Sequence, residues 1–155
     1  MIKVNDIWNI LTKEIVELTD DNKDEIGNDP IKINYIWVAN DFLNIDFFFN
    51  YGGVKPHFIN LVKTDANSDA NEGDIELEFR HNSYGSTSTR LSEGLVSFDM
   101  RSLKQDDADS VNLTVKVKDW DEKKTYNLTY KYNINYEEMN LINTPVLVVA
   151  SDEYH

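Results

Sequence analysis

Residues 27–63 read GNDPIKINYIWVANDFLNIDFFFNYGGVKPHFINLVK, and their patterning decides the fold. Ile31–Val38 is an apolar run that starts directly after Asp29-Pro30, where proline fixes its own φ and restricts its predecessor. Ala39-Asn40-Asp41 is a hairpin-type turn, because Asn and Asp tolerate left-handed backbone between two apolar runs. In Phe42–Phe49 the set Leu43, Ile45, Phe47 and Phe49 faces one way, and Asn44 and Asp46 face the other. That period of two is what a half-buried strand requires. Phe42 and Phe48 fall on the polar side and call for a cover or a partner. Gly52-Gly53 turns the chain, and Pro56 opens a further strand where a missing N–H is tolerable. His57–Lys63 then continues through Phe58, Ile59, Leu61 and Val62.

The flanking sequence supplies more strands. Residues 2–12 (IKVNDIWNILT) alternate loosely and read as a short strand, and Glu14–Leu18 reads as another inside a polar connector. After the polar loop TDANSDANEG, Ile75, Leu77 and Phe79 point inward while Asp74, Glu76, Glu78 and Arg80 point outward. Residues 82–94 read as loop, Leu95–Met100 as a short strand and Arg101–Ser110 as a polar connector. Val111, Leu113, Val115 and Val117 alternate with polar residues. The chain turns at Asp119–Lys123 and returns through Tyr126, Leu128, Tyr130 and Tyr132. Lys116 and Lys118 are placed to meet acidic neighbours across the sheet, at a few tenths of a kcal/mol each, roughly. Asn135–Ile142 reads as a helical turn, and VLVVA at 146–150 as an apolar strand that must be paired or buried. Seven to eight short strands, with turn signals about every 8–12 residues, predict an all-β antiparallel β-sandwich.

Composition agrees and narrows the function classes. The chain has 155 residues, 41% of them hydrophobic and 12% aromatic, enough to bury a core without disulfides or metals. Twenty-eight acidic against 15 basic side chains give a net charge of −13. That field repels phosphate backbones and anionic headgroups, so no nucleic-acid partner is expected. There is no cysteine, which removes disulfides, thiolate metal sites and cysteine nucleophiles. No apolar run approaches the roughly 18 residues of a transmembrane segment. The start, MIKVNDIWNI, lacks the apolar core and cleavage site of an export signal.

Residues 10–133 resemble the NigD-like family of Bacteroidetes cell-envelope proteins. The resemblance is carried by ILTK at 10–13, IGNDPIKI at 26–33, IWVANDFLNIDF at 36–47, HFINLV at 57–62, IELEFRHN at 75–82, VSFDM at 96–100 and KTYNLTY at 124–130. In that family a lipoprotein signal precedes a small OB-like barrel, and an immunoglobulin-like sandwich follows. The resemblance therefore implies an immunoglobulin-like antiparallel β-sandwich over residues 26–155, with residues 1–25 a remnant barrel strand plus connector. It implies an address at the periplasm or cell surface, although the export signal is absent from this chain. It supplies no catalytic residues.

The residues themselves offer three site candidates. Asp65, Asn67, Asp69, Asn71 and Glu76 fall at the first, third, fifth, seventh and twelfth positions of a calcium loop, where several oxygens converge on a hard cation. Ala70 stands where the sharp turn wants glycine, and strands rather than helices flank the loop, so a solvated acidic hairpin loop is the simpler reading. The second candidate is the small-polar-plus-tyrosine loop around Tyr84, Ser86, Thr87 and Arg90, joined by Trp120 in its turn. These are residue types that adapt to a partner. The third, a zinc or triad role for His57, His81 or His155, needs a convergence that strand spacing does not suggest. Asp74, Glu76 and Glu78 line one strand face and are read as solvated. The expected role is a non-catalytic module, with no cofactor unless calcium occupies the Asp65 loop. It binds a protein or glycan partner at the cell envelope through its loops. If residues 2–12 lack their barrel partners, that strand is expected either to pair with a neighbour's edge in an edge-strand-mediated homodimer or to lie disordered.

Overall fold

The computed structural model describes residues 11–52, 56–64, 74–87 and 89–132. Nine strands lie among them: β1 (Leu11–Glu14), β2 (Val16–Glu17), β3 (Lys32–Ala39), β4 (Phe42–Asn50), β5 (Phe58–Lys63), β6 (Asp74–Asn82), β7 (Leu91–Asp99), β8 (Ser110–Lys118) and β9 (Lys123–Lys131). A one-turn helix, α1 (Lys23–Ile26), and a 3-10 turn at Arg101–Leu103 complete the inventory. The strands form a four-stranded sheet, β1-β7-β4-β3, and a five-stranded sheet, β2-β5-β6-β8-β9.

The hairpins expected from the sequence are present. β3 and β4 pair antiparallel from Ala39↔Phe42, leaving Asn40-Asp41 as a two-residue turn with Asn40 at φ 54°, as such turns require. β8 and β9 pair from Lys118↔Lys123 to Ser110↔Lys131. Three pairings are parallel, β1 with β7, β2 with β5 and β6 with β8. Parallel neighbours need long connections, and here they arise because the chain changes sheets. After β6 it crosses to the other sheet as β7, then returns as β8. At Ile15 it changes sheets between β1 and β2, and these two short strands carry the count past eight. β7 also starts earlier than its apolar residues suggest, at the exposed Leu91, because it pairs with the whole of β4 from Asn50↔Leu91 to Phe42↔Asp99.

The inward faces meet in one core. Leu43, Ile45 and Phe47 of β4 and Val96 and Phe98 of β7 face Ile75, Leu77 and Phe79 of β6 and the alternating valines and leucine of β8. Phe79 joins the two layers, with its ring edge-on to Phe47 at 5.6 Å and to Phe98 at 6.2 Å. Ile26 of α1 is buried as well, and α1 packs on β5 and β6. Asn60 and Val62 are buried too, although they alternate with the core residues of β5. The strand expected at 146–150, the helical turn at 135–142, and residues 2–10 lie outside the described residues.

Candidate functional site

β6 and β8 end, and β3, β5, β7 and β9 begin, at one end of the sandwich, where β4 also finishes. The described loop residues 27–31, 51–52, 56–57, 83–87, 89–90 and 119–122 therefore emerge together. This topology brings Tyr84, Ser86, Thr87, Arg90 and Trp120 to a single end, although they lie in two loops separated by β7 and β8.

The local structure of the first loop is set by its own polar groups. Tyr84 has φ 52°, held by its N–H donating to Asn82 Oδ1 at 2.8 Å and its hydroxyl donating to Glu25 Oε1 at 2.7 Å. The Ser86 N–H donates to the Ser83 carbonyl at 3.1 Å, and the Arg90 carbonyl accepts from Tyr51 N–H at 2.8 Å. Thr87 and Arg90 are exposed. In the second loop the buried Asp119 accepts from the Trp120 N–H at 2.6 Å, leaving the indole 39% exposed.

Beneath the loops is a cluster that the sequence did not announce. His57 Nδ1 and His81 Nε2 lie 2.9 Å apart. Their far nitrogens face backbone carbonyls: His57 Nε2 is 2.9 Å from the Gly52 oxygen, and His81 Nδ1 is 3.0 Å from the Pro30 oxygen. The ring centroids are 5.0 Å apart with planes inclined by 29°. With a 2.9 Å nitrogen–nitrogen contact, that separation describes rings meeting edge to edge through their nitrogens. Both carbonyl contacts require N–H donors, and a proton must also sit between the facing nitrogens. Three protons on two imidazoles make one positive charge. Burial pushes the His81 ring below the ordinary histidine range and the His57 charge adds to this, against the Pro30 carbonyl and Asp29.

Neighbours close the cluster. Phe49 stands edge-on to both imidazoles, at 5.3 and 5.8 Å, and Tyr51 lies 5.7 Å from His57. Burial disfavours the Asp29 charge, but the Ser83 N–H and hydroxyl, both at 2.8 Å, outweigh it. With the charges of His81 and Lys118 they hold Asp29 below the usual carboxylate range. The arrangement binds a proton and ties three loops together. Among the described residues no third histidine, cysteine or carboxylate joins the pair to make a metal cluster.

Of the calcium candidates, Asp65, Asn67, Asp69 and Asn71 lie outside the described residues. Glu76, on the outer face of β6, is paired with Lys116 at 3.0 Å. That is the cross-sheet contact expected for Lys116. Glu78 is spent on Arg80, accepting from Nε and Nη2 at 2.7 Å. Asp74 accepts from the Asn112 amide at 3.0 Å, so each of the three carboxylates of this strand face has its own partner.

The comparisons with known proteins fit this picture of a two-sheet sandwich. The NigD-like C-terminal β-sandwich domain matches residues 14–130. Among solved structures, a toxin-related protein from Parabacteroides distasonis is 34% identical over 86% of this chain and 66% of its own, with a TM-score of 0.69. A protein of unknown function, DUF1344, from Bacteroides vulgatus is 30% identical over 83% of this chain and 60% of its own, with a TM-score of 0.68. A NigD-like immunity protein from Bacteroides caccae shares the fold at 15% identity, covering 79% of this chain and 64% of its own, with a TM-score of 0.61. The chain thus spans less than two thirds of each of these proteins. No curated protein matches it. None of the matches is of a catalytic family, and no helix among the described residues is long and apolar enough to cross a membrane.

Proposed function

The chain belongs to the NigD-like C-terminal β-sandwich family, and on that premise we propose that it is a non-catalytic cell-envelope module that binds a protein or glycan partner through the loops at its histidine end. The observation that carries the reading is the gathering of Tyr84, Ser86, Thr87, Arg90 and Trp120 at one end by a topology that separates them in sequence. Recognition loops work when a rigid scaffold presents them. Here the scaffold reaches up to the loops through Asp29, His57 and His81. Arg90 and the indole of Trp120 supply the cation and the aromatic face that dominate many binding surfaces. The envelope address rests on family membership and on relatives from Bacteroides and Parabacteroides.

The test is capture from envelope extracts by the wild-type chain and by a Thr87→Arg, Trp120→Ala variant. Both side chains are exposed, so the fold and melting temperature should be retained. Capture of the same protein or glycan by wild type and its loss in the variant is the expected result. Equal capture by both, or none by either, would remove the loop end as a binding surface.

A further inference from the structure

In a chain of net charge −13, one concavity runs against the overall sign. On the outer face of the five-stranded sheet a cleft of about 190 Å³ is lined by Arg80, Lys116, Lys118 and Lys123, together with Asn28 and Glu78. Arg80 is pinned, its Nε and Nη2 on Glu78 and its Nη1 donating to the Gly27 carbonyl at 3.1 Å. Lys116 is balanced by Glu76 at 3.0 Å. Lys118 and Lys123 are different. They are directly opposed across the β8–β9 ladder, a like-charge pairing that destabilises a sheet, and both are exposed. Among the described residues no carboxylate forms an ion pair with either. The nearby Asp29 carboxylate feels Lys118 but is turned to Ser83.

We propose that this cleft is an oxyanion-binding site, taking a phosphate or sulfate ester carried by a small molecule or glycan. Two lysines without acidic partners leave a local surplus of positive charge that a dianion would neutralise. Lysine ammonium groups bind such anions as point charges and need no planar fork. Size sets the class. At roughly 30 Å³ per water the cleft holds about six waters, room for one tetrahedral group with the rest of the ligand outside. Within the cleft Glu78 is taken up by Arg80, and carboxylates more than about 8 Å away are largely screened at physiological salt. They do repel an anionic membrane, so a lipid headgroup is the less favoured source of the phosphate. The concavity at the other end makes the contrast. It is larger, at about 300 Å³, but Arg101 is its one lining cation and is already bound to Asp99 at 2.6 Å. The cleft adjoins the loop end through Asn28 and the lysines flanking the Trp120 turn, but none of Tyr84, Ser86, Thr87, Arg90 or Trp120 lines it, so it stands independently of the loop-end reading.

The experiment is a titration of the full chain with inorganic phosphate, sulfate and glucose 6-phosphate, followed by amide NMR shifts at constant ionic strength set with chloride. Saturable shifts at Asn28, Arg80, Lys116, Lys118 and Lys123 are expected. A Lys118→Gln, Lys123→Gln variant should weaken the apparent affinity at least tenfold without lowering the melting temperature, since it relieves a like-charge pair. A Lys104→Gln, Lys131→Gln variant, at the other end, should bind as wild type. Shifts no larger than those with chloride alone, or binding that survives in the Lys118/Lys123 variant, would overturn the proposal. Sedimentation with phosphatidylglycerol vesicles separates the sources. Pelleting abolished by the Lys118/Lys123 change assigns a lipid phosphate. Phosphate binding without pelleting assigns a soluble or glycan-borne ester, and pelleting without phosphate binding overturns the site.

Discussion

The two ends of the sandwich are fastened by different chemistry. At the loop end, Asp29, His57 and His81 hold the entry to β3 and the exits of β4 and β6 through contacts to the Pro30 and Gly52 carbonyls and to Ser83. At the opposite end the Tyr130 hydroxyl donates to Asp41 Oδ1 at 2.6 Å, tying β9 to the β3–β4 turn. Arg101 grips Asp99 beside it. Burial pushes the Tyr130 phenol well above its usual range and the Asp41 charge pushes it further. The Arg101 guanidinium lowers the half-buried Asp99 carboxyl to about 2. One end is thus fastened through two imidazoles, of which burial pushes His81 below the ordinary histidine range, and the other through a phenol pushed up and a carboxyl pulled down. The end that carries the candidate loops is the end whose fastening a mild change of pH can loosen.

The comparison breaks most easily at Gly27. It has φ 72° and ψ −179°, a region that only glycine adopts readily. A Cβ there would lie 2.8 Å from Asn82 Cβ and 2.9 Å from the His81 carbonyl oxygen. Gly27→Ala should therefore cost about 3 kcal/mol, backbone strain and overpacking together. That corresponds to a melting temperature lower by about 10 °C. Gly85→Ala, with φ 75° at the same end but open space around it, isolates the backbone part and should cost about 1 kcal/mol. Calorimetry of the pair measures how much of the loop end depends on the close packing of Gly27 on β6. Equal losses would mean that this contact contributes nothing.

At the other end, Tyr130→Phe removes one hydroxyl from a buried ring and leaves Asp41 to water and to Lys104, 3.9 Å away. A hydrogen bond to a charged acceptor contributes about 1.5 kcal/mol, so a loss of that size is expected. The loss should be the same at pH 5.5 and pH 7.5, because the phenol keeps its proton throughout. A loss that shrinks on acidification would erase the contrast between the ends.

Much of this was legible in the residues. β4, β6, β8 and β9 alternate with period two because one face of each is core, and Asn40-Asp41 fixes the register of β3 on β4. The sandwich followed from those elements, and the gathering of the loops did not. Strand order is a property of long-range pairing, and nothing in the alternation says that β7 leaves the sheet that β6 and β8 share. The histidine pair was hidden for the same reason. His57 and His81 meet only because Ile59 pairs with His81, a register set across a polar connection whose length does not determine it. A closer clue lay in FRHN. With Phe79 facing the core, His81 must face it too, and a buried imidazole needs hydrogen-bond partners. The basic cleft was half visible, since the outward positions of β8 are Lys116 and Lys118. Its second wall, Arg80 beside Asn28, required the fold.

The smallest effect sharpens the comparison most, because it concerns the proton itself. The His81 ring is pushed below the 6.5 of an ordinary imidazole, chiefly by burial, so the unfolded chain takes up its proton more readily than the folded one. Stability from this group is accordingly present above pH 6.5 and is lost as pH falls through the lowered value of the folded state. The groups facing the ring are His57, whose charge opposes a second proton, and Asp29, whose charge partly favours it. Between pH 7 and pH 5 the melting temperature of the wild-type chain should fall more than that of His81→Phe, which cannot titrate. Long-range nitrogen NMR should find His81 with its proton on Nδ1, toward Pro30, and its midpoint below 6.5. A midpoint above 6.5, or a chain that gains stability on acidification, would mean that the pair accepts a second charge and that its neighbours outweigh burial. The loop end would then be fastened more tightly in acid, and the order of the two ends would reverse.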